Sequence, residues 1–145
     1  MLLSEAIFNQ HRYAEAEALL RELIPVVTRV LGAENRLTLL CQSNLIPALA
    51  SQNKLAEAEQ TGRSFLSTAT RVLGPHDKQT FWAHRSLAEA LFRQGKLPEA
   101  IAQMQELLPL MTQAYGPAHI ETQRCEADLK IFLATQENKA KAGKP

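Results

Sequence analysis

No apolar run in this sequence approaches the roughly 20 residues that a helix needs to cross a bilayer, so no membrane partner is expected. There is no excess of either charge: 16 basic side chains stand against 15 acidic ones, a net charge of +1. Aromatics are few, at 6%, and no basic stripe is interleaved with them. Together these give no general attraction to nucleic acid, and no nucleic-acid partner is expected. Cysteine occurs only at Cys41 and Cys125, never as a Cys-x-x-Cys pair, which removes the commonest zinc arrangement. The six glycines are scattered, so there is no loop to cradle a phosphate, and no Gly-x-Ser-x-Gly elbow is present. The opening Met1-Leu2-Leu3-Ser4-Glu5 lacks a basic segment and meets polar and acidic residues at once. A signal peptide is not expected, and a cytoplasmic location follows. No segment alternates with period two, so no strands are expected.

What is present is a repeat. Gln52-Asn53-Lys54-Leu55-Ala56-Glu57-Ala58-Glu59 returns as Gln94-Gly95-Lys96-Leu97-Pro98-Glu99-Ala100, and an earlier copy reads Gln10-His11-Arg12-Tyr13-Ala14-Glu15-Ala16-Glu17. Each copy lies 42 residues from the last. Other markers keep that step: Val30-Leu31-Gly32, Val72-Leu73-Gly74-Pro75 and Ala114-Tyr115-Gly116-Pro117; Thr38, Thr80 and Thr122; Leu3, Leu45, Leu87 and Leu129. Several independent columns in one register mean a repeat array. The two cysteines then fall at one column two units apart. With helices stacked about 8–10 Å apart they lie far beyond disulfide reach and read as small buried residues.

Residues 1–10 read as the tail of a helix whose first half is missing: either the chain is cut from a longer one or this repeat is degenerate. Apolar spacing by threes and fours predicts helices over 13–31, 37–51, 55–73, 78–93, 98–115 and 120–136. Pro25 should bend or break the first of these, and Pro47 and Pro109 also fall inside helical patterns. Gly32 ends a helix in a left-handed cap, and Gly74-Pro75 is a second stop signal. Gln123, Glu126, Asp128 and Lys130 turn the last helix polar on its outer positions, as a terminal cap requires. Residues 137–145 carry no apolar face and are expected to be a disordered, frayed tail beyond a repeat domain over 1–136.

A period of 42 residues suits long tetratricopeptide, HEAT and armadillo repeats, or a propeller blade, and the lack of strands removes the last. Leu45 and Leu49, then the Gln-Asn/Gly-Lys-Leu turn, then an alanine early in the second helix (Ala16, Ala58, Ala100), resemble the tetratricopeptide hairpin. The joint Leu73-Gly74-Pro75-His76-Asp77-Lys78-Gln79-Thr80 resembles that of kinesin-light-chain-like tetratricopeptide repeats, as does Gly116-Pro117-Ala118-His119-Ile120-Glu121-Thr122. The resemblance covers roughly residues 3–134. It implies an all-α, right-handed solenoid of antiparallel helix pairs with about three to three and a half repeats. It also implies a concave groove lined by the first helix of each pair. The family's groove often carries an Asn-Asn pair; here those positions read Ser43-Asn44, Arg85-Ser86 and Ala127-Asp128, so only Asn44 retains it.

Catalysis is not expected. His11, His76, His84 and His119 lack a second ligand at i, i+4, and no metal or cofactor is expected. His119 suits a joint that ties one repeat to the next. Glu15, Glu17, Glu57 and Glu59 stand two apart on helices and face different ways; Glu17 with Arg21 reads as a surface pair worth tenths of a kcal/mol. The projected groove comprises Leu40, Ser43, Asn44 and Pro47, then Trp82, Arg85, Glu89, Phe92 and Arg93, then Arg124, with Glu5 and Phe8 continuing it. Trp82, Arg85, Glu89 and Arg93 form one stripe, and an exposed tryptophan beside arginines has hot-spot composition. The alternative is that Trp82 and Phe92 fill core between helices. The functional expectation is a protein-interaction scaffold. Its partner would be an extended peptide or helix, with an apolar anchor on Trp82 and acidic groups for Arg85, Arg93 and Arg124. Two other readings stand beside it: a self-associating structural array, or a regulatory repeat segment of a larger bacterial signalling protein.

Overall fold

The computed structural model describes residues 12–143. Among them every regular element is an α-helix: α1 Tyr13–Leu31, α2 Arg36–Ser51, α3 Leu55–Val72, α4 Lys78–Arg93, α5 Leu97–Tyr115 and α6 Ile120–Ala142. Each helix packs antiparallel on the next, and α2 also packs directly on α4. The expected helix tail at residues 1–10, with Glu5 and Phe8 on its inner face, lies outside the described residues. Elsewhere the expected helices are found within a residue of their expected ends, except the last. No break occurs at the prolines: α1, α2 and α5 run unbroken through Pro25, Pro47 and Pro109. Only one backbone bond is removed at each.

The core lies in three clusters along the stack. Leu20, Cys41, Leu49 and Ala58 fill the space between α1, α2 and α3, while Leu87, Leu91, Met104, Leu107 and Cys125 fill that between α4, α5 and α6. Leu39, Ile46, Phe65 and Ala83 form the third, between α2, α3 and α4. Ala16, Ala58 and Ala100 are wholly buried. Gly62 is a tighter contact still: a Cβ there would meet Leu87 at 3.3 Å. Both cysteines are buried thiols outside any disulfide, and burial pushes them up, that of Cys125 to about 11.

The joints explain two marker columns. Gly32, Gly74 and Gly116 have φ of 95°, 93° and 87°. At Gly32 and Gly116 ψ is 156° and 161°, an extended positive-φ backbone and not the left-handed cap expected for Gly32. The Thr38 and Thr80 hydroxyls each donate to the joint glycine's carbonyl at 2.8 Å, whereas Thr122 reaches the Met111 carbonyl instead at 3.5 Å. Asn35, Asp77 and His119 occupy one column and do one job, each accepting from the backbone N–H two residues on to cap the next helix. His119 also stacks on Tyr115 with ring centroids 4.7 Å apart.

Within each hairpin the turn closes α2 and α4 in the same way. Lys54 N–H bonds the Leu49 carbonyl and Asn53 N–H bonds that of Ala50; Lys96 and Gly95 repeat this on Leu91 and Phe92. This six-to-one, five-to-two pattern needs positive φ at its central residue. Asn53 has φ 62° and Gly95 has φ 79°. Gly95→Ala is therefore expected to lose about 1 kcal/mol, and Asn53→Gly to lose nothing or gain a few tenths. Urea midpoints would check both.

The same turn supports a clamp that the sequence reading undervalued. Glu17 is not a surface partner of Arg21 alone; its side chain is only 8% exposed. Its carboxylate accepts from Lys54 Nζ at 2.7 Å, Gln52 Nε2 at 2.6 Å and Arg21 Nε at 2.8 Å, and Arg21 goes on to Glu57. Forty-two residues on, Glu59 accepts from Lys96, Gln94 and Arg63, and Arg63 goes on to Glu99. Burial pushes the Glu17 carboxyl up, but the bonds from Lys54, Arg21 and Gln52 outweigh it and hold it at about 2. The Lys96 bond, with Gln94 and Arg63 and against opposing burial, holds Glu59 at about 2 as well.

The last helix departs from expectation. Residues expected to fray from Glu137 are helical as far as Ala142. Glu137 stands where Asn53 and Gly95 adopt positive φ, and a glutamate resists that conformation. Lys139 replaces the apolar Leu55 and Leu97 that would anchor a following helix. With neither turn nor anchor, α6 simply continues, with Lys139 and Lys141 at its negative end.

Candidate functional site

Helices α2, α4 and α6 present equivalent columns along one face: Leu40, Trp82 and Arg124; Ser43, Arg85 and Ala127; Pro47, Glu89 and Ile131. Trp82 is 45% exposed and Ile131 55%. Glu89, Arg93 and Arg124 are exposed, and Leu40 and Pro47 are half-buried. Ser43 does not belong to an open surface: it is buried, and its Oγ donates to the Leu40 carbonyl of its own helix at 2.9 Å. Asn44 is half-buried, and its Nδ2 is fully occluded with no hydrogen-bond partner among the described residues.

The arginines expected to await acidic groups are already engaged. Arg85 bridges α4 to α6, with Nε 3.0 Å from Asp128 and NH1 3.5 Å from Glu121. Arg124 pairs with Glu121 at 2.8 Å. Arg93 donates to the Ala50 carbonyl at the end of α2. Arg85 and Arg93 hold neighbouring helices together, whereas the Arg124–Glu121 pair lies within α6 and leaves Arg124 largely exposed.

Between α4 and α6 the packing opens into a cavity of about 330 Å³. Its floor is apolar, from Phe92, Met104 and Phe132, and its rim carries Arg85 with Asp128 and Arg93 with Glu89. The cause can be read by stepping 42 residues. Between α2 and α4 the facing pair is Ala50 and Ala90, which allows close approach; between α4 and α6 it is Phe92 and Phe132. Their rings stack in parallel, centroids 4.4 Å apart and planes 10° apart, and wedge the two helices. Phe92 thus does fill space between helices, while Trp82 does not. Phe132 and Met104 were missed as site residues, although the change from alanine to phenylalanine in two columns was there to be found.

A second, larger cleft of about 620 Å³ lies between α3 and α5 on the other side of α4. Leu66, Leu87 and Leu110 make it apolar, and Arg63, Arg71 and Glu106 edge it. His84 lies at its base with Nδ1 3.0 Å from Gln103 Oε1; burial pulls the imidazole below its usual range. Among the described residues no three His, Cys, Asp or Glu side chains are grouped to hold a metal ion. No helix among them is long and apolar enough to cross a membrane.

No curated protein matches the chain in sequence. Two solved structures from Podosopora anserina share its fold, both of the nearly identical TPR-like repeats ascribed to a kinesin light chain, one of them a single-substitution variant. They superpose with TM-scores of 0.81 and 0.80 at 17% identity over 90% of this chain. This chain spans 62% and 61% of their length. Two family profiles, each described as the tetratricopeptide repeat, match residues 2–36 and 48–113. With six helices among the described residues in sequential antiparallel pairs and these matches along its length, the chain belongs to the tetratricopeptide repeat family.

Proposed function

We propose that this chain is a protein-interaction module that holds an extended peptide or a helix of its partner on the face of α2, α4 and α6. Tetratricopeptide repeats generally act as interaction scaffolds and are typically not catalytic. The observation that carries the finer reading is the apolar-floored cavity between α4 and α6, opened by a stacked phenylalanine pair where the preceding helices meet through alanines. It suits one bulky apolar side chain, and the exposed Trp82 and Ile131 of α4 and α6 offer further apolar contact. Arg85, Arg93 and Arg124 all have partners within the chain, so the anchor is apolar and acidity of the partner is secondary.

Peptide display against the full chain would test this. Selected peptides should carry a large apolar residue, and Trp82→Ala or Ile131→Asp should weaken them about tenfold or more while circular dichroism stays unchanged. Selected peptides that bind both variants as well as the parent would remove the proposal.

A further inference from the structure

The hairpin clamp is complete twice and half-built once. In each complete copy the lysine before a helix and the glutamate three residues on reach back to the preceding outer helix. Lys54 reaches Glu17 and Glu57 reaches Arg21; Lys96 reaches Glu59 and Glu99 reaches Arg63. Arg12 and Glu15 stand in the same two columns one unit earlier. Arg12 also has the backbone of its counterparts, with φ −93° and ψ 54° against −82° and 58° at Lys54 and −81° and 61° at Lys96. Among the described residues no outer helix lies before them, and Arg12 and Glu15 pair with each other while half-exposed.

A second observation lies on the same face. From Glu15 the stripe along α1 continues through Leu19, Glu22, Val26 and Val30, spaced by fours and threes. In α5 the corresponding Gln103, Glu106 and Leu110 line the cleft against α3. On α1 that stripe faces solvent: Leu19 is 36% exposed, Val26 47% and Val30 68%. Three exposed apolar side chains and an ionic clamp with no partner helix among the described residues therefore point to one neighbour.

We infer that this edge of α1 docks a helix of another protein reading Glu-x-x-x-Arg-x-x-Leu/Ile. That is the spacing of Glu17, Arg21 and Ile24, and of Glu59, Arg63 and Leu66. The glutamate takes Arg12, the arginine takes Glu15, and the aliphatic residue lies on Leu19 and Val26. A second copy of this chain does not fit in register: its two such motifs are already clamped internally, and its third outer helix reads Ile101, Gln105 and Leu108.

The probe is a stapled helical peptide with the sequence of residues 55–72, titrated into the isotope-labelled full chain and followed by amide shifts. Shifts are expected at Glu15, Leu19 and Val26, with affinity about tenfold weaker for Arg12→Glu or Val26→Asp chains. A peptide bearing Glu59→Lys should recover binding to the Arg12→Glu chain. All these positions are exposed, so folding is not at risk. Absence of shifts at millimolar peptide, or equal binding by the Val26→Asp chain, overturns the inference. So does a homodimer in light scattering that Val26→Asp dissolves, which would give the surface to a second copy. Trp82 emission, on the face of α2, α4 and α6, should stay constant here and respond only to peptides of that face. Failure of one surface is thereby distinguished from failure of the other.

Discussion

Phe132→Ala is expected to destabilise the protein by about 3–5 kcal/mol, the usual cost of deleting a buried phenyl ring. Phe132 is 7% exposed and its ring lies flat on Phe92. The lost ring would join the existing cavity beside it, so the neighbours have little means of collapsing into the space. A double-mutant cycle with Phe92→Ala should show a coupling of about 0.5–1.5 kcal/mol beyond the separate losses. Urea unfolding monitored by circular dichroism gives all four corners. Leu133→Ala, one residue away and 37% exposed, is the control and should change stability by less than about 0.5–1 kcal/mol. A loss as small at Phe132 as at Leu133 would mean that the stacked pair does not hold α6 in place.

The second large effect is on acid stability. Glu17 and Glu59 have carboxyls held at about 2 in the folded protein, against an ordinary value of 4.5. A carboxylate depressed on folding stabilises the folded state fully above its unfolded pKa and loses that contribution as pH falls towards the folded one. The two clamps should thus contribute in full above about pH 4.5 and nothing below about pH 2. Their lysine and arginine partners are 42–46% exposed, so solvent screens the pairs and about 1–2 kcal/mol for each clamp is the appropriate scale. The Glu17→Gln, Glu59→Gln double variant should be less stable than the parent at neutral pH and should converge on it near pH 2.5. Curves that stay parallel between those limits would show that the clamps do not titrate with folding.

How far the chain could be read beforehand divides by the kind of information each residue carries. Helix existence followed from apolar spacing, and the turn and joint positions followed from columns that keep the 42-residue step. Buried Ala58, Ala100, Thr38 and Thr80 confirm that those columns mark packing. What spacing cannot tell is which polar side chains face inward across a hairpin. Glu17 looked like half of a surface pair because its lysine is 37 residues away, and only the turn brings them together. Arg85 looked free for the same reason, since Asp128 lies 43 residues on. The end of α6 was misread from composition alone. The absence of an apolar face predicts fraying, whereas the decisive residue is Glu137, at a position that must reverse φ to turn.

The clamps and the threonine-glycine joints link only neighbouring hairpins, the clamp bonds spanning 37 residues and the joints 6, both within one repeat step. Nothing described ties α1 to α6. Such a molecule need not open all at once: it can unzip from either edge, one hairpin at a time, while the middle stays shut. Amide exchange should therefore be graded, slowest in α4 beneath Leu87 and Leu91 and fastest towards the outer helices, with the α1 edge slowed when a neighbour fills its waiting clamp.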